Sequence, residues 1–251
     1  MPRPAGPSLT RSFGRRKRGA VEAANIIHQI SVWVLPAIFA ITFHEASHGL
    51  VAKWFGDDTA FRLGRVTFNP LKHVDPFGTI LLPGLLILMH AGFIFGYAKP
   101  VPVNFGRLYN PKRDMIWVAA AGPVTNIILA TASALLSYIA ILLPGFAREW
   151  AVENLQNSVL VNLLLAVFNM IPLPPLDGGR VAVGLLPMPL ARPLAQLERW
   201  GMLILIFALL ILPALGERLH TDLNVVSWLL EWPAQWLYDG VSWVTGTHLL
   251  G

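Results

Sequence analysis

The chain has no cysteine. That excludes disulfides and Cys-ligated metal and leaves His, Asp and Glu as the strong ligands available. Charge is scarce as well: 13% of the 251 residues are Asp, Glu, Lys or Arg, against roughly 25% in a soluble domain. Hydrophobic residues make up 55%, and the mean hydropathy is +0.57. This balance is that of a membrane protein. Internal repeats are missing, and so is any sign of an appended soluble domain such as a PDZ or CBS module, so nothing points to regulation by an earlier cut or by nucleotides. The net charge of +5 and pI near 9.9 do not imply nucleic acid. The 19 Lys and Arg are spread over tails and inter-helix loops, as membrane orientation requires.

What the chain does have is apolar runs, at 26–43, 79–98, 115–143, 155–171 and 200–215. A bilayer-spanning helix needs about 20 apolar residues, so 115–143 and 155–171 fit if their ends tilt or extend into polar flanks. The first run leads straight into His44-Glu45-Ala46-Ser47-His48-Gly49. On a helix, positions i and i+4 share a face, so His44 and His48 can present two imidazoles to one ion. Glu45, one residue along, is placed to reach a water held by that ion. The bare HExxH pattern also arises by chance. Ionisable groups at membrane depth are costly, however, and argue for a task.

Two histidines leave a zinc ion short of a third protein ligand. The candidate lies in Asn169-Met170-Ile171-Pro172-Leu173-Pro174-Pro175-Leu176-Asp177-Gly178-Gly179-Arg180, where an apolar helix meets a proline cluster. Asp177 is the only acidic residue between Glu153 and Glu198. Irregular backbone at membrane depth is tolerated where it is buried or lines a cavity. The competing reading is an interfacial turn whose Asp caps the next segment.

The chain resembles the site-2 protease family of intramembrane zinc metalloproteases in its compact bacterial form. HEASHG matches the family's HExxH, and NMIPLPPLDGG matches its Asn-x-x-Pro and Leu-Asp-Gly signature. Ala121-Gly122-Pro123-Val124-Thr125-Asn126 matches a Gly-Pro-x-x-Asn element at the start of a membrane helix, and 61–78 and 96–104 resemble the family's intervening segments. The resemblance covers about 25–185. It implies that His44, His48 and Asp177 bind one Zn2+ per chain and that Glu45 is the general base. It also implies hydrolysis of a peptide bond in or near a transmembrane helix of a membrane-protein substrate. The expected fold is an all-α polytopic membrane protein. A core of three transmembrane helices carries the zinc site, a short β or re-entrant segment lies between the first two, and one or two further helices follow at the C-terminus. The domain reading is a basic disordered tail at 1–19, an intramembrane metalloprotease domain at 20–215 and a Trp-rich interfacial helix at 216–251.

Other residues carry weaker signals. Asn126 and Asn169 can compete for the amides of an unwound substrate helix, or can simply pack helices. The motif matches favour substrate contact. Residues 61–68 have a weak strand signature that could offer an edge to an extended substrate. His73 and Asp75, in a Pro- and Gly-punctuated loop, read as loop-ordering groups or outer partners of the metal site. His28 and His90 read as structural, and Gly122-Pro123 as a close-packing kink. Trp228, Trp232 and Trp236 recur every four residues, the stripe of an interfacial helix.

Topology follows from the site. His44 and Asp177 both stand near the C-terminal ends of their apolar segments, so those segments cross the bilayer in the same direction, with 115–143 returning between them. Then 79–98 must add an even number of crossings. Twenty residues cannot cross twice, so a re-entrant hairpin is expected. Placing the loops 53–72, 99–113 and 180–199 in the cytoplasm puts eleven basic residues inside. The six basic residues of the N-terminal tail then lie outside, against the same rule. The expected setting is a bacterial cytoplasmic membrane, multi-pass, with the site toward the cytoplasm and the lipid bilayer and a membrane-protein substrate as partners. A catalytically idle scaffold of the same fold is the alternative. A scaffold would need neither Glu45 nor a ligand set. A metal transporter would need His or acidic residues tracking across the bilayer.

Overall fold

A computed structural model describes residues 9–88, 96 and 98–247. A membrane interior offers no water to backbone amides, so apolar runs pair their amides within themselves as helices. The described residues contain ten α-helices and no strand. These are α1 (Leu9–Trp54), α2 (Thr59–Arg62), α3 (Leu82–Leu88), α4 (Pro111–Ala140), α5 (Gly145–Asn169), α6 (Asp177–Leu185), α7 (Met188–Gln196), α8 (Glu198–Ile206), α9 (Leu212–Leu219) and α10 (Val225–Thr245). A π-helical turn, Phe207–Ile211, joins α8 to α9 in one continuous run. Four segments are long and apolar enough to cross a membrane: Ala24–Trp54 of α1, α4, α5 and the run Glu198–Leu219.

The packing is inside-out relative to a soluble protein. Ile26, Ile27, Ile30, Trp33 and Phe39 of α1 point outward, while Ala40, Ala121, Ala130, Ala134 and Ser137 fill the interior. Small residues let helices approach closely where the surroundings are as apolar as the side chains. The helices α1, α4 and α5 pack against one another, and α6 packs on α4. His28 Nε2 meets Glu153 Oε2 at 2.7 Å and Trp150 Nε1 donates to Ser31 Oγ at 2.9 Å, tying α1 to α5 far from His44 along α1.

The backbone of the first helix begins at Leu9 and continues through the first apolar run. Extending an existing helix fixes one residue per hydrogen bond and avoids a new nucleus. Residues 61–68 form no strand: α2 covers the start, and Gly64, at φ +63°, turns the chain. Of the 79–98 segment, Pro76–Leu81 is a π-helical turn leading into α3. The part at 89–95 and 97, with His90, lies outside the described residues.

Helix α10 lies lengthwise along the bundle. Pro233 and Leu237 share a cavity with Pro123 and Ile127, Val241 packs with Ala130 and Ala134, and the Tyr138 hydroxyl donates to the Thr245 carbonyl at 3.1 Å. Leu237, Val241 and Thr245 give this helix a packing face opposite its indoles. Trp228, Trp232 and Trp236 remain exposed on the outer side.

Candidate metal centre

The two histidines sit in the last turns of α1 and are almost fully buried. His44 Nδ1–H donates to Asn126 Oδ1 at 2.6 Å, and His48 Nδ1–H donates to the Val118 carbonyl at 2.7 Å. A carbonyl or amide oxygen only accepts, so each imidazole carries its proton on Nδ1 and turns a bare Nε2 toward the other. The two Nε2 atoms stand 3.1 Å apart.

Asp177 opens α6, just past the loop Ile171-Pro172-Leu173-Pro174-Pro175-Leu176. Its Oδ2 lies 3.1 Å from His44 Nε2 and 3.3 Å from His48 Nε2, is buried, and has no hydrogen-bond donor. Three lone-pair atoms facing one another without a proton between them repel unless a cation sits among them. Ligands about 2.0–2.2 Å from a tetrahedral zinc stand about 3.3–3.6 Å apart, close to the spacing observed. The donor set therefore fits a metal ion, and these three residues are the group of this kind among the described residues.

Missing side chains make the approach possible. A Cβ at Gly122 would collide with both imidazoles, so a glycine is what lets α4 press against the histidines. A Cβ at Gly178 would strike the Met170 and Ile171 carbonyls, and one at Gly179 would strike Pro174. The proline loop is thus folded back onto the start of α6, which delivers Asp177 to the histidines.

Glu45 points into the same cavity, of about 380 Å³, lined by His44, His48, Asn169, Asp177 and Arg180 among others. Its Oε2 accepts the Val101 N–H at 2.7 Å. Asn169 lines this cavity, with its Nδ2 donating to the Leu165 carbonyl at 2.9 Å. Asn126 does not line it. It is fully buried, with Oδ1 on His44 and Nδ2 donating to the Ala40 carbonyl and to Asn162 Oδ1. Sequence reasoning passed over Asn162, which bonds back to Ser158, although a polar residue one turn after Ser158 inside an apolar run is a visible signal. The Val118 carbonyl left no such signal. His73 donates to the Thr67 carbonyl and Asp75 Oδ1 accepts from the Phe77 and Gly78 amides, so both order their loop outside the metal cavity. A larger cavity of about 490 Å³ between α4, α5 and α10 contains no titratable side chain, so the chemistry belongs to the smaller one.

A family model described as peptidase family M50 matches residues 137–212. YwhC of Bacillus subtilis, provisionally named a zinc metalloprotease, is 37% identical over 191 residues, 73% of this chain and 81% of its own. Rip2 of Mycolicibacterium smegmatis, named in the same way, is 31% identical over 206 residues, 82% of this chain and 73% of its own. No solved structure matches the chain.

Proposed function

Because the chain belongs to peptidase family M50, the site-2 protease family, and is a zinc metalloprotease by that membership, we propose that it hydrolyses peptide bonds in or beside the transmembrane helices of membrane-protein substrates. The observation that carries this reading is the meeting of His44 Nε2, His48 Nε2 and Asp177 Oδ2 within a buried cavity that Glu45 also enters. In this proposal His44, His48 and Asp177 hold the zinc. A zinc ion held there would supply Lewis acidity and would make a water more acidic. Glu45 takes the proton of the attacking water and returns it to the leaving amine. The Val101 N–H steadies the Glu45 carboxylate beside the ligands.

For Asn126, its hydrogen bonds support a packing and orienting role beside the expected substrate contact. With every polar atom engaged inside the bundle, it orients His44 and fixes its tautomer. Asn169, on the cavity wall, remains the candidate for substrate contact.

The proposed membrane core is α1, α4 and α5, with 79–98 entering and leaving on one side. The hairpin reading draws support from its base. The Lys99 N–H donates to the His73 carbonyl at 2.9 Å, and Arg65 donates to the Lys99 carbonyl at 2.9 Å, so the chain leaves and returns at one place. Eleven basic residues on the site-side loops support a site facing the cytoplasm of a multi-pass membrane protein.

The test is zinc per chain on purified detergent-solubilised protein, followed by cleavage. Wild type is expected to carry about one zinc and Asp177→Ala far less. Glu45→Gln is expected to keep its zinc and lose cleavage. Equal zinc in wild type and Asp177→Ala overturns the ligand set, and near-normal turnover by Glu45→Gln removes it from the mechanism.

A further inference from the structure

Among the side chains of the described lining, acceptors outnumber donors, and this imbalance points to Arg180. Both histidines direct Nδ1–H away into the bundle, and the Val101 N–H is given to Glu45. Pro100 and Pro175 have no N–H to offer. Asn169 keeps one amide hydrogen after bonding the Leu165 carbonyl. Arg180 is the cation in the described lining, and its guanidinium carries five N–H donors.

Its placement is specific. Arg180 stands three residues after Asp177 on α6, so the two share a helix face. Nη2 meets Glu198 Oε1 at 3.2 Å, and Cζ lies 5.2 Å from the centre of the Phe105 ring, itself part of the cavity wall. Glu198 opens α8, whose Met202 also lines the cavity, and Gly201 between them lies against the Pro174 carbonyl, where no Cβ could fit. The guanidinium is therefore held between a carboxylate and an aromatic face at the edge of the cavity, with donors left over among the described residues after the Glu198 bond.

A substrate helix opened for hydrolysis bares carbonyl oxygens as well as amides, and an unpaired carbonyl away from water is costly. Glu45 and Asn169 can accept from bared amides, but the bared carbonyls need a donor. We propose that Arg180 is a substrate-binding residue whose guanidinium donates to a main-chain carbonyl of the opened substrate strand in the metal cavity, with Glu198 and Phe105 setting its direction. This rests on the protease reading above.

The test measures binding by the zinc-loaded full chain in detergent. The probes are fluorescent apolar peptides carrying a metal-chelating hydroxamate at one end or the other, so that both sides of the cut are sampled. Each is made as the parent and as a series with one carbonyl at a time reduced to methylene. Arg180→Gln is expected to weaken one parent about 10- to 100-fold, as loss of a charged hydrogen bond does. Zinc per chain and binding of acetohydroxamate should stay unchanged. One reduced analogue should bind wild type weakly and lose nothing further in the variant, and Arg180→Lys should recover part of the loss.

An unaffected parent overturns the proposal. So does an equal loss across every analogue that Glu198→Ala reproduces, because Arg180 would then act only by tying α6 to α8. Wild-type protein that binds neither zinc nor acetohydroxamate would instead sink the protease reading itself.

Discussion

At Gly122 the space a side chain would need is filled by two imidazoles. Gly122→Ala is therefore expected to push α4 off the histidines and sharply lower zinc per chain, with helix content by circular dichroism retained. Unchanged zinc would mean that the rings can shift to accommodate a methyl group. Asn126 braces the same candidate ligand set from behind. Asn126→Ala frees the His44 ring to turn and to change tautomer, and loss of such an outer partner typically costs about 10- to 100-fold in metal affinity. Competition with a chelator reads this directly. An unchanged affinity would show that the Nδ1 hydrogen bond is dispensable. Both residues are in the Gly-Pro-x-x-Asn motif, so their importance is visible in the sequence. Their tasks are not, because the sequence does not show which side of α4 the histidines meet.

At the scale of elements, short polar clips position long helices. Asp57 accepts the Thr59 N–H at 3.1 Å and the Thr59 hydroxyl, and its other oxygen accepts the Asn104 N–H at 2.6 Å. It thereby clips the end of α1 to the segment that follows the cavity edge. Burial acts to raise this carboxyl, but the hydroxyl and the two amides outweigh it and leave its pKa below the ordinary aspartate range. A carboxyl depressed in the folded state stabilises above its unfolded pKa and loses that contribution as pH falls through the folded value. Thermal melts should show Asp57→Asn less stable than wild type near neutral pH, with the gap closing below about pH 4. A gap that is constant with pH would rule out the ionised clip. The packing of α10 invites a different measurement. The chain has no cysteine, so single cysteines at 228, 232 and 236 can carry spin labels without background. A helix running along the bundle puts the first and last about 12 Å apart in depth. Oxygen and nickel accessibility should therefore be graded, whereas uniform depth would restore a helix flat in the interface.

For the whole molecule, the metal site sets a rule of parity. In the proposed topology His44 and His48 lie late in one span, and Asp177 follows another, α5, that runs the same way with α4 returning between them. The connection from α1 to α4 must then begin and end on one side. The His73–Lys99 and Arg65–Lys99 bonds at the hairpin base agree with that rule. Single cysteines replacing Phe61 and Asn104 are expected to label from the same side of the membrane in sealed vesicles, the side of the site. Labelling from opposite sides would give 79–98 a full crossing and break the shared orientation of the two ligand-bearing spans.

Long unbroken apolar runs with scarce charge already specify the helical membrane character of the described residues, because each run can pair its amides within itself in lipid. The sequence by itself also marked His44, Glu45, His48 and Asp177, because ionisable groups in apolar runs and the i, i+4 spacing are local properties. Tertiary structure decided what depends on contacts between distant segments. It turned Asn126 inward onto His44, added Asn162 behind it, took the Val118 carbonyl as the second tautomer lock, and set Arg180 at the cavity rim against Glu198. It also laid α10 along α4 and α5, a contact that the indole stripe alone does not show. A periodic stripe shows that a helix has two faces, but only the groove it meets decides which way the helix runs.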